Sequence, residues 1–289
     1  MNTILVPTDF SKCADNALKY AILLEEKNKS RLIFFHCTFI PIPTQSQTEV
    51  YLQIVEAEKK NKTKILTENI NKVYGSLSKK WNENNSSLIV KFGSDLVADI
   101  LEILKNKEID LVIMGTKGAS GLKEILMGSN TAKVIERAKC PVIAVPESAS
   151  LNEIRQITFA TDYHESDIEA LKKLVEIAKP FNAQISVIHV CDDDLTFDTE
   201  EMGINIFKNI VLKKIKYKHI SFRIIFGNYL EEVLQNHIKE ESPDMLAMSI
   251  QDRNFFEFIL EPSSTKKMAY HTRIPLLAFH HKKESEIFI

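Results

Sequence analysis

The chain has 289 residues, 44% of them hydrophobic and 26% charged. These ordinary globular proportions exclude a disordered or collagen-like polymer. Lys and Arg number 37 against 39 Asp and Glu, and the resulting net charge of -2 offers no overall basic surface to nucleic acid.

The predicted elements alternate strand and helix. Residues 3–6 form a short β-branched and apolar strand ending at Pro7, and Ser11 is placed to cap a helix with the face Ala14, Leu18, Ala21 and Ile22. Residues 31–36 read as a second strand, 47–74 as a long amphipathic helix, 87–91 as a third strand and 98–105 as a helix. Residues 111–114 read as a fourth strand, 131–138 as a helix and 141–145 as a last strand. Continuous apolar strands separated by helices predict an α/β fold with a parallel sheet covered on both faces. In such a fold, ligands sit beyond the carboxyl ends of the strands, where the strand order switches.

The pattern then repeats. Ile4-Leu5-Val6-Pro7-Thr8-Asp9 is matched by Ile157-Thr158-Phe159-Ala160-Thr161-Asp162, and the same offset of 153 carries His36 onto His189. Further on the offset is 134, taking Gly93 to Gly227, Asp110 to Asp244 and Pro141 to Pro275. Two constant offsets differing by 19 residues indicate a duplication with one length change. The chain is thus predicted as two tandem doubly wound domains, residues 1–147 and 153–281, each with a mainly parallel five-stranded sheet. The stretch Glu147-Ser148-Ala149-Ser150 joins them. No run is long enough to span a bilayer: the longest, 32–42, is broken by His36, Thr38 and Pro41. The start reads as no signal peptide. Cys13, Cys37, Cys140 and Cys191 are scattered without a CxxC pair, which suits small buried hydrophobes in a reducing cytosol.

Glycine usage marks the site. Only 8 residues are glycine, yet Gly115, Gly118, Gly121 and Gly128 fall within 14 positions directly after the fourth strand. Glycine at a strand end lets a ligand approach the backbone. Gly128-Ser129 opens a helix whose N–H groups and dipole suit phosphate oxygens, and the Ser129 hydroxyl adds a donor or a ligand for a bridging Mg2+. Neither GxxxxGK[ST] nor GxGxxG is present. Asp9, at the end of the first strand, could contact a base or sugar, bind a metal through phosphates, or cap the following helix. A phospho-accepting receiver domain is excluded, because Pro7-Thr8-Asp9 supplies one carboxylate and Gly93-Ser94 follows the third strand.

Taken together, Val6-Pro7-Thr8-Asp9-Phe10-Ser11, Met114-Gly115-x2-Gly118-x9-Gly128-Ser129 and Pro141-Val142-Ile143-Ala144-Val145 resemble the universal stress protein family of UspA type, and the whole chain fits a tandem member. The resemblance implies an adenine nucleotide, ATP or else ADP or AMP, in the first domain. Asp9 with the Pro7 and Thr8 backbone would meet the adenine side, as would the backbone of Cys37. Gly115 would lie near the ribose, with Gly118, Gly128, Ser129 and Asn130 around the phosphates, and Met114 counts among the nucleotide-binding residues. It also implies a cytoplasmic stress-response sensor, hydrolysis that is slow or absent, an intramolecular pseudo-dimer through strands 141–145 and 275–279, and a homodimer of chains.

In the second copy, Ser249, Asp252 and Pro262-Ser263 replace Gly115, Gly118 and Gly128-Ser129, so that copy is read as not binding nucleotide. His36 and His189 are read as core histidines, Lys117 as a solvated loop residue, and His280-His281 as part of a solvated tail. Aromatics at Asn228-Tyr229 and 255–258 are assigned to core packing. Two rival readings are a slow nucleotide hydrolase and an interaction protein without ligand. No Ser/His/Asp or Cys/His arrangement is evident, and no SGGxDS-type adenylation loop follows the first strand.

Overall fold

A computed structural model of the chain describes residues 1–39, 48–93, 95–118, 127–191, 197–228, 230–250 and 273–280. It divides into two compact units, Met1–Glu147 and Ser148–Ile289.

The first unit runs β1 (Thr3–Pro7), α1 (Lys12–Asn28), β2 (Arg31–Thr38), α2 (Thr48–Ser76), β3 (Ser86–Phe92), α3 (Leu96–Asn106), β4 (Leu111–Gly115), α4 (Ser129–Arg137) and β5 (Val142–Val145). All its strand pairs are parallel, in the order β3-β2-β1-β4-β5. The switch point therefore lies between β1 and β4. Ile4, Leu5, Phe34, Phe35, Val112 and Ile113 are wholly buried, so both faces of the central strands are covered. Each such side chain contributes about 1.5–3 kcal/mol on burial.

The second unit repeats the plan: β6 (Gln156–Ala160), α5 (Glu165–Ala178), β7 (Gln184–Cys191), α6 (Phe197–Lys214), β8 (Ile220–Phe226), α7 (Leu230–Glu241), β9 (Met245–Ile250) and β10 (Leu276–His280). Its order is β8-β7-β6-β9-β10, again all parallel.

The duplication extends to individual hydrogen bonds. Asp110 Oδ2 accepts from the Asn2 and Thr3 amides, and Asp244 Oδ2 from those of Arg155 and Gln156. Phe10 and Tyr163 occupy the left-handed region at φ 65° and 62°. Each donates its amide to the threonine hydroxyl two residues back, Thr8 or Thr161. A bulky residue there is unusual, and its presence in both copies marks a built turn at the end of the first strand.

Several elements exceed their predicted bounds. The strand predicted to end at 36 continues to Thr38, bringing Cys37 into register with Lys91. The helix predicted from 98 begins at Leu96, because Asp95 caps it by accepting from the Val97 and Ala98 amides at 2.9 and 3.1 Å. The helix predicted from 131 begins at Ser129. Among the described residues, no helix is long and apolar enough to cross a membrane.

Candidate functional site

A cavity of about 540 Å³ opens at the carboxyl ends of β1, β2 and β4, at the switch point of the first unit. Pro7, Thr8, Asp9, Cys37, Met114, Gly115, Gly118, Gly128, Ser129 and Asn130 all line it. Gly121 lies outside the described residues.

The β1–α1 turn shapes one wall. Ser11 is the helix N-cap, accepting from the Ala14 amide at 3.2 Å, so Asp9 does not cap α1 itself. Asp9 Oδ1 instead accepts the Ser11 amide at 3.1 Å. Phe10 packs on the His36 ring, 4.3 Å between centroids, and His36 Nδ1 bonds the Thr8 carbonyl at 2.9 Å. His36 is buried as expected, but its Nε2 has no hydrogen-bond partner among the described residues. Burial holds its pKa below the ordinary value, opposed by the bond to Thr8.

The opposite wall is β4 and the start of α4. Gly115 serves the fold as well as the cavity: a Cβ there would meet Cys13 Sγ at 2.9 Å and the Ala14 amide nitrogen at 3.1 Å. The missing side chain thus lets the first turn of α1 close on β4. Thr131 Oγ1 donates to the Gly115 carbonyl at 2.8 Å, tying α4 to the same strand end. The N-cap of α4 is Gly128, with no side chain capping the helix. An uncapped N-terminus presents several amides without intrahelical partners, a donor set that fits an anion.

Sequence reasoning missed part of the lining. Thr38, Phe39, Gly93, Asp95, Leu96 and Lys117 also face the cavity. Lys117, read as a solvated loop residue, stands half-buried on the wall. Phe39 is 67% exposed and gives the rim an apolar face. Asp95 was legible as an Asp directly before an apolar helical run. For Phe39 no sequence signal existed. Cys37 Sγ donates to Asp99 Oδ2 at 3.2 Å, and burial, with that carboxylate, pushes the thiol pKa up to about 11.

At the corresponding place in the second unit, Ser249 stands on β9 where Gly115 stands on β4. A second change escaped the sequence reading. Asp167, at the position of Ala14, is only 2% exposed and accepts from Thr161 Oγ1 at 2.7 Å and the Asp162 amide at 3.2 Å. Its pKa is raised by burial, against the hydrogen bonds from Thr161, Asp162 and Ser249. A buried carboxyl thus lies where the first unit has a methyl group. Asp252, Pro262-Ser263, Tyr229, the 255–258 aromatics and His281 lie outside the described residues. His189 is more than a core histidine: its Nε2 faces Glu200 Oε2 at 3.3 Å.

A β3-β2-β1-β4-β5 parallel sheet with a cavity at its switch point defines a doubly wound, Rossmann-like α/β domain, and the chain holds two in tandem. The chain belongs to the universal stress protein family, whose model matches residues 1–146 and 153–280. The universal stress protein MJ0531 of Methanocaldococcus jannaschii is 26% identical over 151 residues, covering 49% of this chain and 80% of that protein. Sll1388 of Synechocystis, another universal stress protein, is 28% identical, covering 49% of this chain and 96% of its own. Over the whole chain, a universal stress protein structure from Archaeoglobus fulgidus shares the fold, with TM-score 0.66, 18% identity and coverage of 96% and 98%.

Proposed function

We propose that the first unit binds ATP, or else ADP or AMP, and that the chain acts as a cytoplasmic, nucleotide-dependent sensor or switch in the stress response. The uncapped α4 N-terminus, opening into the cavity that the ten residues above share, carries this reading. The cavity volume suits a small molecule. Asp9, the Thr8 backbone and the Cys37 backbone would meet the adenine, with Phe39 offering an apolar face for the base. Gly118, Gly128, Ser129 and Asn130 would surround the phosphates, Lys117 would add countercharge, and the exposed Ser129 hydroxyl fits a Mg2+ ion bridging phosphate oxygens.

Binding is favoured over catalysis. Of the ionisable groups on the wall, Asp95 is engaged as a helix cap and Cys37 is held as a thiol. Asp9 is bonded to the Ser11 amide. A hydrolase would aim a base at the attacking water, a role for which these three groups are not set up, and Lys117 supplies countercharge alone, so turnover is expected only at a slow background rate. In the second unit, Asp167 opposes a phosphate, which supports reading that unit as structural or sensing. The pairing of the two halves through strands 141–145 and 275–279 belongs to the same proposal, as does a homodimer of chains, which sedimentation velocity would detect.

Calorimetric titration of ATP into the full chain tests the site. Binding in the parent and its loss in Gly118→Asp, with an unchanged circular dichroism spectrum, is the expected result. Equal binding by the folded variant would overturn the proposal.

A further inference from the structure

We propose that the second unit carries a site for a borderline-soft divalent cation of the Zn2+ type, formed by His189, Cys191 and Glu200. This site is independent of the nucleotide reading. One ligand atom from each residue lies within 4.8 Å of the others. His189 and Cys191 are two apart near the end of β7, so both side chains leave the same face of the strand. Glu200 comes from the start of α6.

The orientation of His189 favours coordination. Its Nδ1 lies 2.7 Å from the Thr161 carbonyl, which can only accept, so Nδ1 carries the hydrogen. Nε2, the remaining ring nitrogen, faces Glu200 Oε2 at 3.3 Å. Two lone-pair-bearing atoms that close require a cation between them, either a proton or a metal. A metal-binding histidine commonly gives its other nitrogen to a backbone carbonyl in this way.

Tyr163 supplies a second, separate observation. Its ring stacks on His189 at 4.2 Å, and α6 closes over it at Gly203, where a Cβ would lie 3.3 Å from the ring. Its hydroxyl is buried without a hydrogen-bond partner among the described residues. Tyr163 thus covers one face of the His189 ring.

The donors are nitrogen, sulfur and oxygen, a mixture suited to Zn2+ and its transition-metal neighbours, whereas Mg2+ and Ca2+ prefer oxygen alone. Three protein ligands leave a fourth position for water or an incoming group. Coordination by Cys191 converts its thiol to a thiolate and releases one proton to solvent. The set belongs to this unit alone. In the first unit, His36 makes the same bond to Thr8, but Thr38 takes the place of Cys191 and Phe10 that of Tyr163.

Chelator-treated full-length chain titrated with Co2+ tests the site. A near-ultraviolet thiolate-to-cobalt band saturating at one equivalent, and displaced by Zn2+, is expected. Cys191→Ser should abolish the band and Cys140→Ser should keep it, while Glu200→Gln should weaken Co2+ binding at least about tenfold. Should Cys191→Ser not fold, the parent spectrum and Glu200→Gln still decide. No band at saturating Co2+, a band persisting in folded Cys191→Ser, or unchanged affinity in Glu200→Gln would each overturn the site and leave a proton between His189 and Glu200.

Discussion

Gly118 faces the Asp9 carboxylate so closely that a Cβ at that position would lie 2.9 Å from Asp9 Oδ2. The two residues are remote in sequence and meet because β1 and β4 are parallel neighbours at the switch point. Asp9 is exposed and its Oδ1 is bonded to the Ser11 amide, so a Cβ at 118 is admitted only if the carboxylate swings away from its place on the cavity wall. Gly118→Ala is therefore expected to weaken ATP binding about tenfold or more. Because residue 118 is exposed, unfolding free energy should change by no more than about 0.5 kcal/mol. Parallel calorimetry and urea unfolding separate the two effects.

Gly115 is expected to behave in the opposite sense. A Cβ there meets the Cys13 carbonyl carbon at 3.0 Å as well as its sulfur, and backbone yields less readily than the end of a side chain. Gly115→Val should destabilise the first unit by about 1–3 kcal/mol, the range for overpacking. An unchanged urea midpoint would count against this packing.

Much of this was legible in the sequence, and the exceptions have physical causes. Alternating strands and helices and the two offsets suffice for the tandem α/β plan, because repeated apolar runs admit few other arrangements. The length of β2 was not legible. Cys37 and Thr38 are held in the strand by pairing with Lys91 and Phe92, which the local pattern does not show. Asp167 was available in principle, since the offset of 153 sets it over Ala14. The difference lies in the first turn of the helix, away from the glycine positions that mark the site. Lys117 reads as solvated from its loop context, yet its side chain lines the cavity. Phe39, exposed at the rim, carries no periodic signal at all.

Acidification should remove the stabilisation that one buried histidine in each unit supplies as a neutral ring. His36 is held below the ordinary imidazole value of 6.5 by burial, and so is His237, by burial and then by Arg223. Both are favoured as neutral rings in the fold, so on unfolding the chain takes up protons. Their contribution to stability is complete above 6.5 and is lost as pH falls through that value toward the folded values. Each contributes a slope of at most about 1.4 kcal/mol per pH unit. Urea midpoints compared at about pH 7.5 and about pH 5.5 should fall on acidification, and less steeply in His36→Gln and His237→Gln. A pH dependence unchanged in His36→Gln and His237→Gln would contradict the assignment.

Cys37 should be a poor nucleophile despite lining the cavity. With its pKa near 11, against an ordinary 9.0, the thiolate fraction at mildly alkaline pH falls about a hundredfold. Iodoacetamide should therefore label Cys37 far more slowly in the native chain than in urea, with Asp99→Asn accelerating the native reaction. Rapid native labelling, followed by peptide mass spectrometry, would show that the thiol is not held by Asp99.

The most direct test of the central claim is the nucleotide content of the protein as purified. Denaturing the full-length chain without added nucleotide and quantifying released adenine nucleotides against protein should give about one per chain, held by the first unit alone. Two per chain would contradict the assignment of the second unit as one that binds none. None, together with no binding on subsequent titration with ATP, would contradict the nucleotide sensor and leave an interaction protein.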